Sequence, residues 1–231
     1  MVTQQQQTAS SEVFYPESDG KPMADNTKQF RWIVVIEQNL EWLFANDPNV
    51  FVAGDLLWYP VEGNNRLCTA PDAMVVFGRP KGDRGSYQQW KEDNLPPQVV
   101  FEILSPGNTQ PEMERKLLFY HTYGVEEYYV YDPDRIQLSG WQRSEDGLLD
   151  RIDSMSGWVS PQLEIRFELG AELQLYRPDG TPFFSFAEIN QMLDQERQRA
   201  ERAEQQLEQE RQRSQQMAER LRSLGIDPNA L

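Results

Sequence analysis

Apolar and polar positions along this chain change period several times, and each change predicts an element. In NTKQFRWIVVIEQNLEWLFAND, Trp32, Ile33, Ile36, Leu40, Leu43 and Phe44 recur at helical spacing, and Asn26 or Thr27 is placed to cap the helix. Glu37 falls at the edge of that stripe, between Phe30 and Phe44 on a helical wheel, and Glu41 lies further round. From Phe51 to Phe77 the runs VFVAGDLLWYP and APDAMVVFG are short, β-rich and bounded by glycine and proline. Residues 78–98 form a polar insertion, read as a surface loop with one helical turn. VVFEIL is the next strand. Thr109-Gln-Pro-Glu112 then has the pattern of a capping box with proline in the first turn, opening a helix over PEMERKLLFYHTY that stops at Gly124. VEEYYVYDP is a further strand, and β-rich sequence continues to about Leu175. This order of helix, strands, helix and more strands predicts a mixed α/β (α+β) domain around one sheet.

The two ends differ from this middle. Residues 1–27 are polar and include a glutamine run, which predicts a flexible arm before a domain over 28–185. In residues 186–231 the segment QERQR occurs at 195–199 and again at 209–213, two heptads apart. Leu193, Ala200, Leu207, Ser214 and Leu221 recur every seven residues, with Ala203, Met217 and Leu224 on the companion line that Glu196 and Glu210 interrupt. The tail is a charged helix, either solvated or self-associating through this imperfect coiled-coil seam.

Composition narrows the function. Six tryptophans, nine tyrosines and eleven phenylalanines supply a packed core for a chain of 231 residues. The net charge is −15, and residues 1–190 hold 15 lysines and arginines against 29 acids. Such a domain repels phosphate chains at long range, which argues against loose charge-driven binding to nucleic acid but not against a local site where a cation inverts the field. One cysteine, Cys68, excludes an intramolecular disulfide. No apolar run reaches the roughly eighteen residues a membrane span needs, and the first twenty residues lack the basic and apolar blocks of a secretory signal. The chain reads as cytoplasmic with no membrane partner.

Three residues carry candidate chemistry. Asp72 follows Pro71 and opens the strand AMVVF; alone it reads as a turn aspartate. Glu102 shares its strand face with Val100 and Leu104, so a solvent-facing role is awkward, and a buried carboxylate needs a cation, donors or a proton. Lys116 lies beside the stripe of Met113, Leu117 and Tyr120 on the next helix, at the margin of its inward face. A single lysine there is ordinarily a snorkelling one. Together the three are more informative than apart. His121 and Cys68 are each the only residue of their kind and lie far apart, which gives a soft-metal site little support.

APDAMVVF, VVFEILSPGN and ERKLLFYHTYGVEEYYVYDP together resemble the Uma-two family of bacterial restriction endonuclease-like proteins, over roughly residues 28–175. The resemblance implies the PD-(D/E)xK nuclease fold, with Asp72 as the first acid and Glu102 as the second. Leu104 stands where the usual lysine would be, and the resemblance implies that Lys116, from the following helix, replaces it. It further implies a metal-dependent DNA endonuclease in which Asp72 and Glu102 hold Mg²⁺ or Mn²⁺. Enzymes of this group commonly cut duplex DNA as dimers, so the resemblance implies a homodimer or higher homo-oligomer, for which the tail offers one route. A further acid from the first helix is expected near the metal: Glu37 by geometry, Glu41 next, or Asn39 by alignment. The alternative is the same fold without catalysis, acting as an oligomeric scaffold or interaction module.

Overall fold

The computed structural model describes residues 13–224, and the chain divides into two units, one ending at Phe183 and one beginning at Phe184. The outer parts of the expected arm and tail, residues 1–12 and 225–231, lie outside the described residues.

Helix α1 (Thr27–Leu43) starts where the Asn26 side chain accepts hydrogen bonds from the Lys28 and Gln29 amides at 3.0 and 2.9 Å. Its buried residues include Trp32, Ile33, Ile36 and Leu40, the centre of the apolar stripe. Strands β1 (Val50–Ala53), β2 (Trp58–Tyr59), β3 (Ala73–Phe77) and β4 (Tyr87–Gln88) follow, then a short 3-10 turn at Gln89–Lys91 and β5 (Val99–Ile103). Helix α2 (Gln110–Thr122) crosses to β6 (Glu127–Asp132), and β7 (Gln137–Arg143), β8 (Leu149–Arg151), β9 (Arg166–Leu169) and β10 (Leu173–Tyr176) complete the unit.

Six strands form one mixed sheet in the order β1-β3-β5-β6-β7-β8. Only β5 and β6 run parallel within it, and α2 provides the long connection that parallel neighbours require. β5 lies inside the sheet and every one of its residues is buried, because both faces are covered. Val99, Phe101 and Ile103 pack on the α1 side with Ile33, Ile36 and Leu40. Val100 packs on the other side with Trp58, Tyr120 and Tyr128. Period-two alternation therefore sends Glu102 to the α2 side, among aromatic rings.

The expected capping box is not formed. Thr109 does occupy the N-cap position of α2, but its side chain makes no capping hydrogen bond, and Pro111 in the first turn does without an amide donor. Residues 13–26 have no helix or strand but are tied to the domain. The Tyr15 ring packs 5.1 Å from Tyr59 and 4.9 Å from Trp90, and the Tyr59 hydroxyl donates to Pro16 O at 2.8 Å.

In the second unit, α3 (Phe186–Ser223) opens with a true capping box between Ser185 and Glu188. It buries none of its residues, and Leu193, Leu207, Met217 and Leu224 of the heptad lines are exposed.

Candidate active site

Glu102 is 3% exposed and both its oxygens are engaged by α2. Oε2 accepts from Lys116 Nζ at 2.6 Å, and Oε1 accepts from the Tyr120 hydroxyl. The two donors lie four residues apart, which places them one turn apart on the helix face turned toward the sheet. Tyr120 is itself fully buried, stacked on Trp58 and packed against Tyr128. Burial pushes the Tyr120 hydroxyl well above the usual phenol range, and the Glu102 charge adds to this, so the hydroxyl stays a donor. The Tyr128 hydroxyl is buried without a hydrogen-bond partner among the described residues.

Asp72 stands just before β3, and the pairing of Ala73 with Phe101 puts it beside Glu102 on the neighbouring strand. Its Oδ2 accepts from the Ile103 amide at 2.6 Å. The Ile103 carbonyl in turn accepts from Gln29 Nε2 of α1 at 2.8 Å, so both layers hold this end of β5. Burial lifts the Asp72 carboxyl well above the usual carboxylate range. The Glu102 charge lifts it further, while Lys116 and the Ile103 amide only partly offset the rise. Burial alone would lower Lys116, but the carboxylates of Glu102 and Asp72 outweigh it and leave its pKa raised. Lys116 is thus held as an ammonium.

Asp72 and Lys116 line one cleft of about 400 Å³, and Glu102 sits behind them. Asp55, Cys68, Thr69 and Glu112 contribute further walls, and residues 21–25 with Asp19 pass along its edge. Asp25 accepts from the Ser105 hydroxyl, which anchors that passing segment to the loop after β5. Two hard carboxylates beside one lysine suit a divalent cation. Each carboxylate offers about four lone-pair sites, of which Glu102 uses two and Asp72 one. No cluster of three or more Asp, Glu, His or Cys side chains able to hold a metal is present among the described residues. A bound ion would therefore take its other ligands from water or substrate, as Mg²⁺ commonly does.

The model of the Uma2 family, described as putative restriction endonucleases, matches residues 20–175. This chain belongs to the Uma2 family. Its sequence resemblance is thereby borne out, and the structure has the expected mixed α/β class. No curated protein matches the chain. A solved structure described as a putative nuclease belonging to DUF820 from Anabaena variabilis ATCC 29413 shares 16% identity over 63% of this chain and 79% of that one. Its TM-score is 0.45.

The other candidates in this Uma2 chain lie elsewhere. Asn39 is buried, donates to Val35 O at 2.7 Å and accepts from Arg177 at 3.3 Å, which makes it part of the packing beneath α1. Glu41 is paired with Lys81 at 2.7 Å. Glu37 accepts from Gln38 and packs against Gly54. None of the three lines the cleft. His121 Nδ1 accepts from the Leu149 amide at 3.3 Å, linking α2 to β8. One of the cleft acids to which sequence reasoning gave no role is Asp55, whose place there comes from a contact between distant residues: its amide donates to Pro71 O at 3.0 Å.

Proposed function

We propose that this Uma2 protein is a divalent-metal-dependent endonuclease that hydrolyses phosphodiester bonds in DNA. One observation carries the reading: the acid opening β3 and the lysine of α2 line a single cleft, and Lys116 Nζ lies 2.6 Å from Oε2 of the acid within β5. Packed inner strands have no structural need for two adjacent buried carboxylates, and burying them costs stability. Asp72 and Glu102 are the residues that would hold Mg²⁺ or Mn²⁺. When bound, such an ion polarises the phosphate and lowers the pKa of water.

The chain's own groups do the rest. The Ile103 amide orients Asp72, and the Tyr120 hydroxyl orients Glu102. Lys116, fixed by Glu102, places a positive charge and N–H donors in the cleft, where they stabilise negative charge growing on the phosphate and orient the attacking water. The expected dimer belongs to this proposal, with a second copy covering the exposed leucines of α3 so that two sites address two strands.

Incubation of plasmid DNA with the full chain in Mn²⁺ or Mg²⁺ tests the reading. Cleavage is expected in wild type, lost with a chelator and reduced at least about 100-fold in Lys116→Ala. Intact plasmid after incubation of folded, metal-loaded wild type would leave the inactive scaffold as the better account.

A further inference from the structure

We infer that Asp55 is a further catalytic residue of this site, the carboxylate that accepts the proton of the attacking water. The inference rests on the nuclease reading above and assigns a role that reading leaves empty. Water must lose a proton as it attacks phosphorus, and on that reading Asp72 and Glu102 are given to the cation while Lys116 is held as an ammonium. Lys116 Nζ is bound to Glu102, whose other oxygen takes the Tyr120 hydroxyl, and Asp72 takes the Ile103 amide. Asp55 lines the same cleft as Asp72 and Lys116, yet its carboxylate accepts no hydrogen bond among the described residues.

Its backbone is built to put it there. Asp55 follows β1 with a φ of 49°, the left-handed region that side chains other than asparagine and aspartate seldom enter. Its amide donates to Pro71 O at 3.0 Å, which fixes it beside the residue preceding Asp72. Gly54 makes this approach possible, since a Cβ there would come within 3.3 Å of both Asp72 O and the Glu37 side chain. The chain accepts strain and a close approach at two successive positions, as functional sites often do.

In the step, the water oxygen bonds to phosphorus as its proton passes to the Asp55 carboxylate. The bond from phosphorus to the leaving oxygen breaks with its electron pair on that oxygen, which solvent protonates. Asp55 then returns its proton to solvent.

Asp55→Asn tests this cleanly, because asparagine has nearly the same shape and tolerates the same φ. The expected result is a fall in kcat on plasmid DNA of about 100-fold or more. Mn²⁺ affinity by calorimetry should stay within about twofold, and the acid limb of the kcat/KM pH profile should disappear. Asp55→Gly, which also fits the backbone, should lose activity equally and regain part of it with added formate. A kcat within about threefold of wild type, with the acid limb retained, overturns the assignment. Loss of Mn²⁺ binding in Asp55→Asn also overturns it, by making Asp55 a ligand. A wild type that neither binds Mn²⁺ nor cuts DNA removes the nuclease reading itself, a result distinct from an active Asp55→Asn.

Discussion

Replacing Lys116 by methionine separates the electrostatic account of this site from simple packing. Methionine keeps the length and apolar stem of the side chain and removes the charge. The Lys116 and Glu102 side chains are 20% and 4% exposed, so the pair is shielded, and Glu102 is the member that cannot reach water. Removing one partner of a buried ion pair costs about 3–5 kcal/mol, because the other charge is left uncompensated. The Tyr120 hydroxyl still donates to Glu102 and offsets part of this, which brings the expected loss to about 3 kcal/mol at pH 8. For a domain of this size that is a fall in Tm of about 6–12 °C. Glu102→Gln should cost less, about 1–2 kcal/mol, since Lys116 keeps Asp72 nearby and part of its surface in water. The double variant no longer buries the Glu102 charge without its partner, so the two losses should fall short of additive by about 2 kcal/mol. Urea denaturation of the four proteins at pH 8 reads all of these quantities. A Lys116→Met loss below about 0.5 kcal/mol at pH 8, additive with Glu102→Gln, would refute the buried pair.

Two further outcomes follow from the same geometry. The Asp72 carboxyl is raised in the folded chain, so the native state holds its proton more tightly and stability falls as pH rises from about 4 through the folded pKa. Asp72→Asn should therefore be more stable than wild type at pH 8, by about 1 kcal/mol in urea, with the advantage vanishing in acid. Leu207→Glu, on the exposed heptad line of α3, should convert the proposed dimer to a monomer in sedimentation without changing Tm of the sheet domain.

Much of this was legible along the chain, and the reasons differ by residue. The stripe on α1 and the alternation through VVFEIL depend only on local period, so the helix, the strand and the buried side of Glu102 could be read directly. Lys116 was legible because helical spacing fixes which face it shares with Tyr120. The polar half of Tyr120 was not, since periodicity classifies it as apolar, whereas its hydroxyl is a donor to Glu102. Thr109 marked the start of α2 correctly, but whether its side chain closes a capping box depends on local rotamers. Asp55 was hidden inside VFVAGDLLWYP because its positive φ and its bond to Pro71 arise when β1 meets β3. Spacing along α1 does not choose among Glu37, Asn39 and Glu41, because Lys81 and Arg177, which engage Glu41 and Asn39, come from distant segments.

The central claim is that Asp72 and Glu102 form a divalent-cation site beside Lys116. Calorimetric titration of the full chain with Mn²⁺ at pH 8, beside Asp72→Asn and Glu102→Gln, tests it most directly. One ion per chain in wild type, and none in either folded variant, is the predicted result. No heat of binding in folded wild type, or binding of equal strength in all three proteins, would contradict it.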